Sequence, residues 1–232
     1  MNPVSVSSIT PLRPAGKKAV FILLGPPGCG KGTQAARLTA VLGIPAISTG
    51  DMIRAEIAAG TDLGKAVQGI TITGGLIGDD IINRLVESRL AKPDCVNGFL
   101  LDGYPRSTVQ AQFLGELLPR IGFPTPEVVH IDVPLETLVA RTCMRRYCPD
   151  CGTIYNLGSK PPKCAGVCDE EGVELMQRAD DCEDVVRRRL VAYEQTTSPL
   201  LTFYAGPQYH RVTGNQAPES VFQQIMHAIS TP

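Results

Sequence analysis

The sequence has no tryptophan, and aromatic residues make up only 5% of it. A surface that stacks the bases of single-stranded nucleic acid needs exposed aromatic rings, so the composition argues against one. A basic surplus is also missing: Lys and Arg number 22 against 23 Asp and Glu, for a net charge of −1. Proteins that follow phosphate backbones or anionic membrane surfaces ordinarily carry a clear positive excess. No run of 18 apolar residues occurs, which excludes a transmembrane helix on length. Met1 to Lys18 carries Pro3, Pro11 and Pro14 among serines, without a basic stretch leading into an apolar one. It therefore does not read as a secretory signal, and a loose extension before the fold is expected.

What remains is an ordinary globular composition, 43% hydrophobic and 19% charged over 232 residues. That length suits one α/β core of about five strands with room for small excursions. Eight cysteines are present, and four of them fall between Cys148 and Cys168. Clustered thiols in a chain of this length point to metal rather than disulfides, and so to a reducing, cytoplasmic setting.

Ala19 to Leu24 is a continuous apolar run that stops at Gly25, the pattern of a strand buried on both faces of a parallel sheet. Phe99–Asp102 and Val128–Val133 read the same way, Tyr209–Thr213 is weaker, and Ile44–Ser48 adds a short one. Helical patterns cover about Lys31–Leu42, Gly50–Ala59, Asp79–Lys92, Ser107–Leu117, Leu135–Met144, Glu183–Phe203 and Pro218–Ile229. Alternating strands and helices predict an α/β fold with a doubly wound parallel sheet of the P-loop NTPase type. Two inserts interrupt it: residues 48–77, helical with Gly60, Gly74 and Gly75 as joints, and residues 144–181, rich in Cys, Pro, Gly and Asp. The core is then 19–47, 78–143 and 182–232, with both inserts as candidate lids over the carboxyl ends of the strands.

Gly25-Pro-Pro-Gly-Cys-Gly-Lys-Gly-Thr33 joins the first strand to the first helix. Gly25, Gly28 and Gly30 allow a tight turn whose amides face phosphate oxygens, and the helix N-terminus adds its dipole. Lys31 brings a full charge to the β/γ region, with Cys29, Gly32 and Thr33 completing the loop. Gly32 follows the lysine directly, so the hydroxyl comes one place later than in the general pattern. The loop specifies nucleotide phosphate and no particular reaction.

The order of four segments is more telling: Gly30-Lys-Gly-Thr33, Ser48-Thr-Gly-Asp-Met52, Asp102-Gly-Tyr-Pro-Arg106 and Arg178-Ala-Asp-Asp181. Together they resemble the nucleoside-monophosphate kinase family, its long-lid adenylate kinases in particular, from about Val20 onward. Asp102 ends a buried strand beside the phosphate loop, where it can organise Mg²⁺ and its waters or cap the next turn. The planar guanidinium of Arg106 suits a two-point grip on a phosphate.

The resemblance implies an AMP site lined by Thr49, Gly50, Arg54, Gly103 and Arg106. Backbone groups of Gly75, Leu76 and Ile77 would contribute, and Gln110 would read the adenine edge. It further places Arg141, Arg145, Arg178 and Arg189 around the ATP phosphates and the transferring group. Arg141 and Arg145, four apart, are expected on one helix face. Asp180 and Asp181 either cap the following helix or hold the arginines and metal waters.

The implied reaction is ATP + AMP = 2 ADP with Mg²⁺, in a monomer binding neither nucleic acid nor membrane. No nucleophilic Ser-His or Cys-His set is required, because the AMP phosphate is itself the nucleophile. Cys148-Pro-Asp-Cys151 followed by Cys168 after sixteen intervening residues has the spacing of zinc-bearing lids in many bacterial adenylate kinases. The family closes that tetrad with Cys or Asp three residues further on; here the place holds Glu171, and an extra thiol stands at Cys164. Either set suits structural Zn²⁺. Cys29, Cys95, Cys143 and Cys182 read as small buried residues. Two rival readings are a kinase for UMP, CMP or GMP, and a P-loop ATPase bearing a nucleic-acid-binding zinc ribbon. The second conflicts with the neutral charge and the acidic Asp169-Glu-Glu171 beside the knuckle.

Overall fold

The computed structural model describes residues 18–230, so residues 1–17 of the expected extension lie outside the described residues. In chain order the elements are β1 (Ala19–Leu24), α1 (Lys31–Leu42), β2 (Ala46–Ser48), α2 (Thr49–Ala58), α3 (Asp62–Thr73), α4 (Asp79–Leu90), β3 (Gly98–Asp102), α5 (Thr108–Arg120), β4 (Glu127–Asp132) and α6 (Leu135–Cys143). They continue with β5 (Arg145–Tyr147), β6 (Ile154–Asn156), α7 (Glu183–Ala192), α8 (Leu200–Phe203), β7 (Tyr209–Thr213) and α9 (Pro218–Ser230). Five strands form one parallel sheet in the order β2-β3-β1-β4-β7, and β5 and β6 form a separate antiparallel ribbon.

The sheet is covered on both faces, and β1 shows why its sequence lacks alternation. Val20, Ile22 and Leu24 point into one core layer with Phe99, Leu101, Leu114 and Val86. Ala19, Phe21 and Leu23 point into the other with Leu38, Leu100, Val186 and Ile225. Successive strand side chains face opposite ways, so a central strand must be apolar throughout. Ile22 is fully buried, and trimming it to Ala costs about 2–5 kcal/mol.

Register fixes the site. Leu23 of β1 and Ser48 of β2 both lie opposite Asp102 of β3, bringing three strand ends level. Each end hands over to a functional turn: β1 to the glycine loop, β2 to the Ser48 cap of α2, β3 to the turn bearing Arg106. The Ser48 hydroxyl accepts the Asp51 amide at 3.2 Å, and Ser107 accepts the Gln110 amide at 3.2 Å at the start of α5. Both satisfy orphan donors of a first turn.

Three expectations are corrected. Glu183–Phe203 is not one helix: a π-helical turn, Tyr193–Thr197, interrupts it before α8. Pro199, which cannot donate an amide hydrogen bond, stands just beyond that turn. Arg141 and Arg145 do not share a helix, because α6 stops at Cys143 and Arg145 opens β5. Cys182 is exposed and Cys143 half-buried, whereas Cys29 and Cys95 are buried as expected.

Candidate active site

The glycine loop closes around Lys31. Its Nζ donates to the carbonyls of Gly25 at 2.7 Å and Pro26 at 3.1 Å. Gly28 has φ 84°, and a Cβ there would run into Thr142 Oγ1 on α6. Only glycine fits both that backbone and that approach. Cys29 is buried, and burial pushes its thiol up, so it forms a neutral wall of the loop. Gly32 and Thr33 are exposed on the first turn of α1. A Cβ on Gly32 would come 3.7 Å from Asp102 Oδ2, which sets the carboxylate beside that turn. Burial raises Asp102 above the ordinary carboxylate range against the pull of Lys31 and Arg106.

Five arginines gather around this cradle. Burial first, then Arg189, pushes Arg106 down to about 10. Burial, then Arg54 and Arg145, does the same to Arg178, also to about 10. Arg189 is lowered by burial, with Arg145 and Arg54 adding repulsion. The carboxylates acting on these groups are Asp51, Asp102, Asp180 and Asp181. Lys31 and five arginines thus face four carboxylates, leaving an excess of two positive charges in a partly dry space. Such a site has a strong preference for polyanions.

The two aspartates of uncertain role are now separated from capping. The N-cap of α7 is Cys182, which makes no side-chain cap bond. Asp181, fully buried, takes Arg145 at two points, with Nε donating to Oδ2 at 2.8 Å. Asp180 pairs with Arg189 at 2.8 Å, and Arg189 lies 3.7 Å from Asp181 as well. Arg141 is not part of this group: it donates to the Gly214 carbonyl at 3.0 Å, with Asn215 Oδ1 at 3.4 Å, at the β7–α9 turn.

The opposite wall comes from α2, α3 and the β3–α5 turn. Thr49 Oγ1 and Arg106 Nε both donate to the Gly103 carbonyl, each at 2.8 Å. Arg54 pairs with Asp51 at 2.5 Å, its guanidinium lying over Gly50, and Asp51 also stands 3.9 Å from Arg178. Gly75 closes the end of α3 by donating to Ile70 at 3.0 Å; Leu76 is exposed and Ile77 packs on the core. Gln110 is buried, and its carboxamide is engaged at both ends. Oε1 accepts the Arg106 amide at 2.7 Å and Nε2 donates to Asp79 at 2.7 Å.

Sequence reasoning missed Asp79 and Thr197. Asp79 also accepts from Ser107 at 3.0 Å, and Thr197 Oγ1 donates to the Arg106 carbonyl at 2.8 Å. Asp79 could have been suspected as an acid in the first turn of α4. Thr197 had no such signal, since the π-helical turn that aims it is not a periodicity.

In the second insert, Cys148, Cys151 and Cys168 hold their sulfurs within 4.8 Å of one another as free thiols. Cys151 and Cys168 are 3.7 Å apart. A tetrahedral zinc with bonds of about 2.3 Å sets its sulfurs about 3.8 Å apart, so the trio fits that ion. The Tyr155 hydroxyl, bonded to the Cys168 sulfur, lowers that thiol to about 7, and metal ligation requires the thiolate. The carboxylate of Glu171 and the thiol of Cys164 stand outside this trio, and both residues are exposed. The insert's apolar interior is only Cys148, Tyr155, Cys168 and Leu175, with Val173 against them. A core that small does not hold an insert together unaided.

A family model described as adenylate kinase matches residues 23–208. An adenylate kinase of Thermosipho melanesiensis is 46% identical over 210 residues, covering 90% of this chain and 98% of its own. One from Oceanobacillus iheyensis is 47% identical over 206 residues, covering 88% and 96%. Another from Trichlorobacter lovleyi is 51% identical over 188 residues, covering 81% and 88%.

Proposed function

The chain belongs to the adenylate kinase family and catalyses ATP + AMP = 2 ADP, and from that premise we infer which residues carry the transfer. The observation supporting the assignment is the cationic excess of Lys31 and five arginines around one glycine loop.

In this reading the loop Gly25–Thr33 and Lys31 bind the β- and γ-phosphates of ATP. Arg141, now held by the Gly214 carbonyl, joins the ATP phosphates from α6. Thr49, Gly50, Arg54, Gly103 and Arg106 bind AMP, with the 75–77 backbone along its base. Gln110 reaches the adenine edge by exchanging the Asp79 or Arg106 partner it now holds. Arg145, Arg178 and Arg189 neutralise the phosphoryl group as it moves between two fixed oxygens. Asp102 would hold the waters of the Mg²⁺ that accompanies ATP, and that ion would supply charge neutralisation to the phosphates. The AMP phosphate attacks in line, so positioning and charge neutralisation supply the rate, with no protein base.

Residues 48–77 and 144–181 are the two closing segments, and closure excludes the water that would hydrolyse ATP. Cys148, Cys151 and Cys168 hold a structural Zn²⁺ that ties the second together and takes no part in the chemistry. The working form is a cytoplasmic monomer. Among the described residues no helix is long and apolar enough to cross a membrane.

Initial rates with Mg-ATP and each of AMP, GMP, CMP and UMP test the substrate assignment. AMP is expected to exceed the others in kcat/KM by at least about a hundredfold. Comparable rates with a second monophosphate contradict the base assignment. ATP hydrolysis without phosphoryl transfer contradicts the reading as a whole.

A further inference from the structure

The carboxamide of Gln110 is buried between two groups that admit it only one way round. The Arg106 backbone amide, which can only donate, meets Oε1 at 2.7 Å. The Asp79 carboxylate, which only accepts, receives Nε2 at 2.7 Å. Turned over, the carboxamide would set its NH₂ against the Arg106 N–H and its oxygen against the carboxylate. Both contacts would become repulsive, so the surroundings fix the sense of the group.

Asp79 is itself fixed. It is the first residue of α4, and its second oxygen accepts the Ser107 hydroxyl at 3.0 Å. The Ser107 oxygen in turn accepts the Gln110 backbone amide at 3.2 Å. The Tyr104 hydroxyl lies between Asn83 Oδ1 on α4 at 2.7 Å and the Gln110 carbonyl at 3.3 Å. The carboxylate and the carboxamide therefore sit on two helices tied at several points.

The sense matters because purines differ in it. Along the edge bearing C6, a 6-aminopurine donates from N6 and accepts at N1, whereas a 6-oxopurine accepts at O6 and donates from N1. A carboxamide offers one donor and one acceptor side by side, and matches one edge or, turned over, the other.

We propose that Asp79 is a specificity-determining positioning residue, fixing the sense of the Gln110 carboxamide so that the AMP site takes a 6-aminopurine and rejects a 6-oxopurine. The inference rests on the reading that Gln110 meets the AMP base, and deepens it. Nε2 carries a second hydrogen, so its bond to Asp79 persists while the base is read. The partner exchanged for the base is then the Arg106 amide at Oε1. Discrimination comes as much from the repulsion set against the turned-over group as from the bonds to adenine.

The test compares kcat/KM for AMP and for inosine monophosphate (IMP), which differs from AMP only at C6 and N1, each with Mg-ATP. Asp79→Asn keeps the shape but can donate as well as accept, so it satisfies either sense. It should lower the AMP-to-IMP ratio by roughly tenfold, through KM for the monophosphates, with KM for ATP unchanged. Asp79→Glu, again an acceptor only, should recover part of the ratio. In a Gln110→Ala background, where the ratio is already low, Asp79→Asn should change it no further.

If Gln110→Ala lowers the ratio and Asp79→Asn does not, the proposal is overturned, and Asp79 serves only to start α4. A ratio unmoved by Gln110→Ala would instead defeat the reading of Gln110 on which the proposal stands. Should Asp79→Asn not fold, Ser107→Ala, which releases the second oxygen of Asp79, must lower the same ratio. No change in that variant would overturn the proposal as well.

Discussion

Asp181 and Arg145 are joined by two parallel bonds across the mouth of the second insert. The acid is fully buried at the end of the insert, and the guanidinium stands at its beginning. One ion pair therefore ties the two strands of chain that lead into and out of residues 144–181. The same acid lies 3.7 Å from Arg189, so it sets the position of two guanidinium groups at once.

Removing this acid leaves a partly buried arginine unpaired, which is costlier than losing the pair as a whole. Asp181→Ala should lower stability by about 3 kcal/mol in urea titration and reduce kcat as well. Asp180→Ala, which leaves Arg189 still 3.7 Å from Asp181, should cost less. Equal stability of Asp181→Ala and wild type would show that the pair organises nothing.

In the proposed transfer, Lys31 and Arg106 act on charge in the moving phosphoryl group rather than on the fold. Lys31→Met and Arg106→Ala should each lower turnover by about a thousandfold with melting temperature nearly unchanged. Single-turnover rates separate this from slow product release. Near-normal activity of either variant would remove it from the transfer step.

Thr197 holds the Arg106 carbonyl while Gln110 holds its amide, so the arginine is fixed at both ends of its own residue. Thr197→Val should raise KM for AMP by several-fold, the effect of one lost hydrogen bond, with KM for ATP little changed. Thr197→Ser should restore it. Parallel changes in both KM values would mean a general packing defect instead.

Burial raises the affinity of Asp102 for its proton in the folded chain. The folded state then binds that proton more tightly than the unfolded state, so this group's contribution to stability falls as pH rises through the window above the ordinary carboxylate value. The proposed function runs the other way, because holding Mg²⁺ and its waters would need the ionised form. The Mg²⁺ concentration for half-maximal rate should therefore rise on acidification, beginning above the usual carboxylate range. In Asp102→Asn that inflection should vanish along with most activity. A wild-type Mg²⁺ requirement that stays flat on acidification down into the ordinary carboxylate range would contradict the role.

Much of this was legible in the sequence for one reason: central parallel strands and a phosphate loop are local in character. Ala19–Leu24 appears as a strand with the bounds its apolar run suggests, and Tyr209–Thr213 with the bounds read from its weaker pattern. The loop geometry at Gly25, Gly28 and Gly30 follows from residues within nine positions of one another. What was hidden depends on contacts between distant segments. The spacing of Arg141 and Arg145 suggested a shared face, but the end of α6 at Cys143 separated them. The dual grip on Gln110 comes from Asp79 across 31 positions, and Thr197 reaches Arg106 across 91. Neither leaves a periodic trace. In the second insert the grouping of Cys148, Cys151 and Cys168 was legible from their spacing.

The central claim is that one cationic hollow holds two nucleotides end to end for direct transfer. Calorimetric titration with two adenosines joined through five phosphates addresses it most directly. The account predicts one molecule bound per chain, far more tightly than ATP or AMP alone, in competition with both and greatly weakened by Lys31→Met and Arg106→Ala. Absence of binding, or competition with only one of the two nucleotides, would contradict it.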